Sequence, residues 1–155
     1  MSCRRLRLSK KREPIHERGY VYNFHFHLVW VTKYRRSIFE TPEQVLKMKT
    51  ILYDIAKNNE VKIENLEVMS DHVHMLISFK PKYAPTSIVK SFKGTSARLW
   101  FTAFPETKQK LWGGHLWSNS YFMSTLGDMS RDTVANYIKN QRTQKAASGR
   151  PASKK

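Results

Sequence analysis

Two histidines separated by one residue, His72 and His74, are the side chains of this sequence best placed to do chemistry. On a β-strand, residues i and i+2 project from the same face. Both imidazoles therefore leave the strand together, while Val73, Met75 and Ile77 face the opposite way. Two neighbouring neutral imidazoles form a pair of divalent-metal ligands. The plainer alternative is two polar residues on a half-exposed strand. His25 and His27 repeat the same spacing, and spacing does not choose between the pairs. Asp71 precedes His72 at a turn. Such a carboxylate either orients a ligating imidazole from behind or caps the turn.

Tyr137 and Gln141 lie four residues apart in a stretch with helical periodicity, so they share a helix face. A phenol is a weak nucleophile at its free pKa of about 10, and a nearby cation favours the phenolate. The side-chain carbonyl of Gln141 suits a hard cation such as Mg²⁺ or Mn²⁺. The alternative is an ordinary amphipathic helix with Val134, Tyr137 and Ile138 as its buried side.

The elements that must position these residues alternate along the chain. Residues 20–32 read as a strand, with Phe24, Phe26, Leu28 and Trp30 alternating with His25, His27 and Val29. Thr41-Pro42-Glu43-Gln44 starts a helix: Thr41 as N-cap, Pro42 at the first helical position, Gln44 closing a capping box. Val45, Met48, Leu52 and Ile55 are its apolar stripe, and Asn58-Asn59 ends it. Residues 61–69 are a second strand whose alternation slips near Asn65, as at a bulge. Ser70-Asp71 makes a tight turn into a third strand, 72–79.

A second helix runs from about Pro85 to Phe101, with Ile88, Phe92 and Leu99 on one side and Lys90 and Lys93 on the other. Gly94 inside it costs about 1 kcal/mol, which suggests a close approach to the backbone. After Gly113-Gly114 comes a fourth strand around 121–126. A last helix starts at Ser130 as N-cap and runs to about Gln144. The order βαββαβ plus an extra C-terminal helix carrying the tyrosine predicts an α+β, ferredoxin-like (RRM-like) antiparallel sheet with helices on one face.

The chain has 155 residues, enough for one compact domain, and its single cysteine, Cys3, excludes a disulfide framework or a zinc finger built on cysteine pairs. No apolar run suits a membrane span or follows the basic start as a signal peptide would, so a cytoplasmic protein with no membrane partner is expected. The net charge is +16. Seven basic residues fall within 1–18 and six within 139–155, so 13 of the 28 sit at the two ends. That bias points to a polyanion partner or to solubilising tails. The expected organisation is a basic flexible arm over 1–18, a single catalytic domain over 19–144 and a basic disordered tail over 145–155.

These features resemble the HUH single-tyrosine transposases of small insertion sequences that move as single-stranded DNA. The resemblance is carried by Ser70-Asp71-His72-Val73-His74-Met75-Leu76-Ile77 and by Tyr137-Ile138-Lys139-Asn140-Gln141. The stretches 19–36, 89–98 and 111–121 add to it in the same order. It spans about Gly19 to Gln144 and leaves the two ends uncovered.

The resemblance implies that His72 and His74, not His25 and His27, are the metal pair. His27 matches a first-strand histidine of the family, and His25 is this chain's own. Gln141 is implied as a third ligand of Mg²⁺ or Mn²⁺, Asp71 as the carboxylate behind the ligands, and Tyr137 as the nucleophile. The implied reaction cleaves and rejoins single-stranded DNA at insertion-sequence ends through a 5′-phosphotyrosine. The implied partners are DNA hairpins near those ends and a second copy of the chain, with the tyrosine helix supplied in trans. Gly127 then serves as a hinge for the exchange, or simply as a turn before the helix. Lys33, Arg35, Arg36, Lys90 and Lys93 are candidates for phosphate contact, against a solvated surface as the default. Trp112, Trp117 and Tyr121 would stack on bases or pack in the core. Two rival readings use the same features: a domesticated relative that processes repeated hairpin sequences, and a non-catalytic RRM-like nucleic-acid-binding module.

Overall fold

The computed structural model describes residues 15–17, 20–22, 25–125 and 136–140. The stretch read as one strand over 20–32 is divided. Its start, β2 (Tyr20–Tyr22), pairs antiparallel with β1 (Ile15–Glu17) in a separate two-stranded sheet. Its remainder is β3 (His25–Val31) of the main sheet. The end of the arm expected over 1–18 thus contributes a strand, because its backbone groups find partners in the Tyr20–Tyr22 segment.

The next helix, α1 (Pro42–Asn58), begins as its sequence dictates. The Thr41 hydroxyl accepts from the Gln44 amide at 3.2 Å, and Gln44 Oε1 accepts from the Thr41 amide at 3.1 Å. Strand β4 (Lys62–Val68) shifts register between Ile63 and Asn65, the bulge its alternation suggested. Strand β5 (His72–Ser78) returns along it. Helix α2 (Pro85–Ala103) runs two residues beyond the expected end and leads through irregular turns to β6 (Phe122–Thr125).

The main sheet has the order β4-β5-β3-β6, all antiparallel, so the two central strands are β5 and β3. This is the expected βαββαβ arrangement with helices on one face. Leu28 and Trp30 of β3 and Val73, Met75 and Ile77 of β5 project toward the helices. There they form one core with Met48, Leu52 and Ile55 of α1 and Ile88, Phe92 and Trp100 of α2. His27 and Val29 of β3 and His72 and His74 of β5, on the alternate positions, belong to the opposite face. Among the described residues, no helix is long and apolar enough to cross a membrane.

Trp117 is core, not a stacking platform. It is buried, its ring meets Trp30 edge to face at 5.6 Å, and its indole N–H donates to Ser96 Oγ at 2.9 Å. Such ring pairs add about 0.5–1.5 kcal/mol beyond their buried area. Trp117 also pins the loop before β6 to the end of β3: the Lys33 amide donates to Leu116 O and the Ser118 amide to Val31 O. Trp112 is exposed, and Tyr121 lies at the surface.

Candidate active site

The site grows from the end of the sheet where β3 leaves and β5 begins, Val31 pairing with His72. The turn into β5 is stitched to the segment after β3. The Thr32 amide donates to Asp71 O at 2.9 Å, its hydroxyl donates to Arg36 O at 2.7 Å, and the amides of Ile38 and Phe39 donate to Ser70 O. In that segment two consecutive residues, Tyr34 and Arg35, hold positive φ of 57° and 49°. For residues with a Cβ this region costs about 1–2 kcal/mol each. The strain aims the Arg35 side chain at Asp71.

The Asp71 carboxylate is shared. Its Oδ2 accepts from Arg35 Nε at 3.0 Å and Nη2 at 2.6 Å, and its Oδ1 lies 2.8 Å from His72 Nδ1. Burial pushes the Asp71 carboxyl up, but the hydrogen bonds from His72 and Arg35 and the Arg35 charge outweigh it. The net result lies below the ordinary value. An ionised carboxylate only accepts, so His72 must donate from Nδ1, and in the neutral ring its Nε2 lone pair remains for a ligand. The Asp71 carboxylate thus bonds His72 and Arg35, while its main-chain carbonyl accepts from the Thr32 amide and ties the turn to the segment after β3.

His74 projects beside His72, and burial together with the nearby His72 charge holds its imidazole below the ordinary pKa, favouring the neutral form. Its Nε2 stands 3.2 Å from Nδ1 of His27, with the rings stacked at 5.5 Å. One of these two nitrogens carries the shared proton. The second pair of the sequence is thus split: His27 joins His74, while His25 is buried further along the strand with Nδ1 3.3 Å from Glu64 Oε1.

Tyr137 lies on the same face. His74 and Phe122 are both paired with Val29, from the two sides, so the three form a row across the sheet. The Tyr137 ring, in the helical segment 136–140, packs on Phe122 at 5.6 Å. Its hydroxyl meets Ser120 Oγ at 3.2 Å. Burial raises the Tyr137 phenol above its ordinary value, and the Ser120 hydrogen bond opposes this in part. One further contact closes the site: Arg35 Nη1 donates to the carbonyl of Ile138 at 3.2 Å. Gln141, Gly127, Ser130 and Val134 lie outside the described residues.

For a divalent cation, the fit is two adjacent imidazoles, one oriented by a carboxylate and the other disposed to be neutral. Among the described residues no group of three His, Cys, Asp or Glu side chains is arranged around one metal position.

A match to the family described as "Transposase IS200 like" spans residues 20–141. This chain belongs to the IS200-like transposase family. It is 44% identical to the ISDra2 transposase TnpA of Deinococcus radiodurans over 124 residues, 80% of this chain and 88% of that one. It is 30% identical over 120 residues to the transposase for insertion sequence element IS200 of Salmonella typhimurium, 77% of this chain and 78% of that one. A crystal structure of a candidate transposase from Deinococcus radiodurans R1 superposes with a TM-score of 0.77 at 43% identity, covering 82% of this chain and 97% of that chain.

The transposase's basic residues divide by environment. Arg36 and Lys90 are exposed. Lys33 places its ammonium 5.5 Å from the centre of the Tyr34 ring. Lys93, expected to point to solvent, is half-buried: its ammonium donates to the carbonyls of Ser118 and Ser120. Burial, with the Lys33 charge nearby, pushes it down to about 8. Arg35 is occupied by Asp71 and Ile138, with a side chain only 10% exposed. Lys90, Lys93, Arg98, Lys108 and Tyr121 border an open groove of about 500 Å³ along α2. Gly94 forms part of its wall, and nothing lies within 4 Å of where its Cβ would stand. The close approach expected at Gly94 is absent among the described residues, and the glycine instead widens the groove.

Sequence reasoning missed Ser120 and the partners that Arg35 finds in Asp71 and Ile138. Both lie in stretches that carried the family resemblance, but nothing in their spacing indicated their partners.

Proposed function

We propose that this transposase cleaves and rejoins single-stranded DNA by covalent attachment to Tyr137, in a site completed by Mg²⁺ or Mn²⁺. The observation that carries the reading is the row His74–Val29–Phe122, which brings the Tyr137 ring over the face that bears His72 and His74. His72 and His74 would hold the cation, with Gln141 as a further ligand and Asp71 fixing the His72 ring. When bound, the cation supplies Lewis-acid polarisation of the scissile phosphate and favours the phenolate.

The chain's own groups account for the rest. The Tyr137 Oη attacks phosphorus and loses its proton. The P–O3′ bond breaks, and the departing oxygen takes up a proton as a 3′-OH. The 5′ side stays attached as a phosphotyrosine, which preserves the bond for a second 3′-OH to attack. Ser120 holds the phenol at the edge of β6. The groove along α2, with Lys90, Lys93 and Arg98, suits the phosphates of a DNA hairpin at an element end. A homodimer with the tyrosine helix supplied in trans belongs to this reading. The intrachain bond from Arg35 to Ile138 supports, alongside it, a seat for that helix on its own subunit.

The test is incubation with a single-stranded hairpin substrate and Mn²⁺ or Mg²⁺, followed by a denaturing gel. The expected result is a covalent protein–DNA species that disappears in Tyr137→Phe and with chelator. An adduct that persists in Tyr137→Phe overturns the assignment of the nucleophile. Absence of any adduct with wild type favours a binding module.

A further inference from the structure

Arg35 joins the two halves of the site. Through Nε and Nη2 it holds the Asp71 carboxylate that orients His72, and through Nη1 it holds the main-chain carbonyl of Ile138, next to Tyr137. Its guanidinium is largely withdrawn from solvent, and it stands on a turn with two successive positive-φ residues that is itself bonded to Asp71. A phosphate contact needs none of this. A surface arginine reaching for DNA would keep its fork open, whereas here three of its nitrogens are committed to two protein partners.

We infer that Arg35 is a positioning residue that seats the tyrosine-bearing segment against the Asp71–His72 pair, and not a DNA phosphate contact. Within one subunit, in the own-subunit seat that stands alongside the in-trans arrangement, one guanidinium ties the tyrosine-bearing segment to the Asp71–His72 pair before DNA arrives. The catalytic part of this inference rests on the proposed reaction, but the seating of the helix does not.

The experiment compares wild type with Arg35→Ala and Arg35→Lys. A lysine keeps the charge and one bond to Asp71, but a single ammonium does not span both Asp71 Oδ2 and Ile138 O in the fixed fork of a guanidinium. The first readout is amide hydrogen exchange over residues 136–140 in metal-free, DNA-free protein. The second is single-turnover cleavage at saturating hairpin DNA, beside hairpin affinity over a range of salt.

The inference expects faster exchange at 136–140 in both variants. It also expects a cleavage rate lower by at least roughly tenfold in both, with affinity and its salt dependence unchanged within about twofold. Arg35→Lys serves if Arg35→Ala does not fold. Unchanged exchange at 136–140 overturns the inference. So does an affinity loss with a salt slope lowered by about one that lysine restores, since that is the signature of a phosphate contact. If wild type forms no adduct, the proposed reaction fails, while the exchange result still decides whether Arg35 seats the segment.

Discussion

His72 is tied through Nδ1 to the carboxylate of Asp71 at 2.8 Å, the contact that points its other nitrogen away from the turn. Asp71→Asn keeps the shape but removes the charge that fixes this orientation and pairs with Arg35. Loss of such a partner typically lowers metal affinity by about 10–100-fold. Mn²⁺ titration calorimetry at constant pH is expected to show a loss in that range. Unchanged affinity would reduce Asp71 to a turn cap.

Ser120 touches the Tyr137 hydroxyl and is the one group that offsets the upward pull of burial on that phenol. Ser120→Ala raises the Tyr137 pKa further and makes deprotonation harder. A hydrogen bond is worth about 1 kcal/mol, or roughly a fivefold effect. The rate of covalent adduct formation is therefore expected to fall about that much, with the rising limb of its pH profile moved to higher pH. An unchanged rate and profile would mean that the contact does not bear on the nucleophile.

Lys93 gives the fold a pH dependence of predictable sign. Its ammonium titrates at about 8 in the folded chain against 10.5 ordinarily. Between those values the unfolded chain holds more protons, so stability rises with pH across that window, and below about 8 the full cost of burying the charge is present. Lys93→Met removes the titrating group. Denaturant unfolding at pH 7 and pH 9.5 is expected to show a larger gain in stability for wild type than for Lys93→Met. Equal gains would place the ammonium in solvent.

Much of the fold was legible because its signals are local. Thr41, Pro42 and Gln44 specify a helix start within four residues, and the structure shows both hydrogen bonds of the capping box. The slip at Asn65 appears as a register shift in β4. The reading failed where a strand's composition did not say which sheet it would join. Tyr20–Tyr22 has the composition of β3, but its backbone pairs with Ile15–Glu17 in a separate sheet. Trp117, which the sequence left open between base stacking and core, is core, because Trp30 and Ser96 meet it there.

The sequence alone determined which side chains share a face: the period of two put His72 with His74 and His25 with His27, and the helix period put Tyr137 with Gln141. It also determined the order of the elements and hence the architecture. Only the tertiary structure decided what faces what. Strand register placed His27 against His74 and His25 beside Glu64, and the row through Val29 carried Phe122 under Tyr137. Arg35 finds partners 36 and 103 positions away along the chain. Periodicity is a property of one element's own backbone geometry. Register and long-range hydrogen bonds are set by how elements pack, through strand pairing and the core between sheet and helices, and no local pattern encodes that packing.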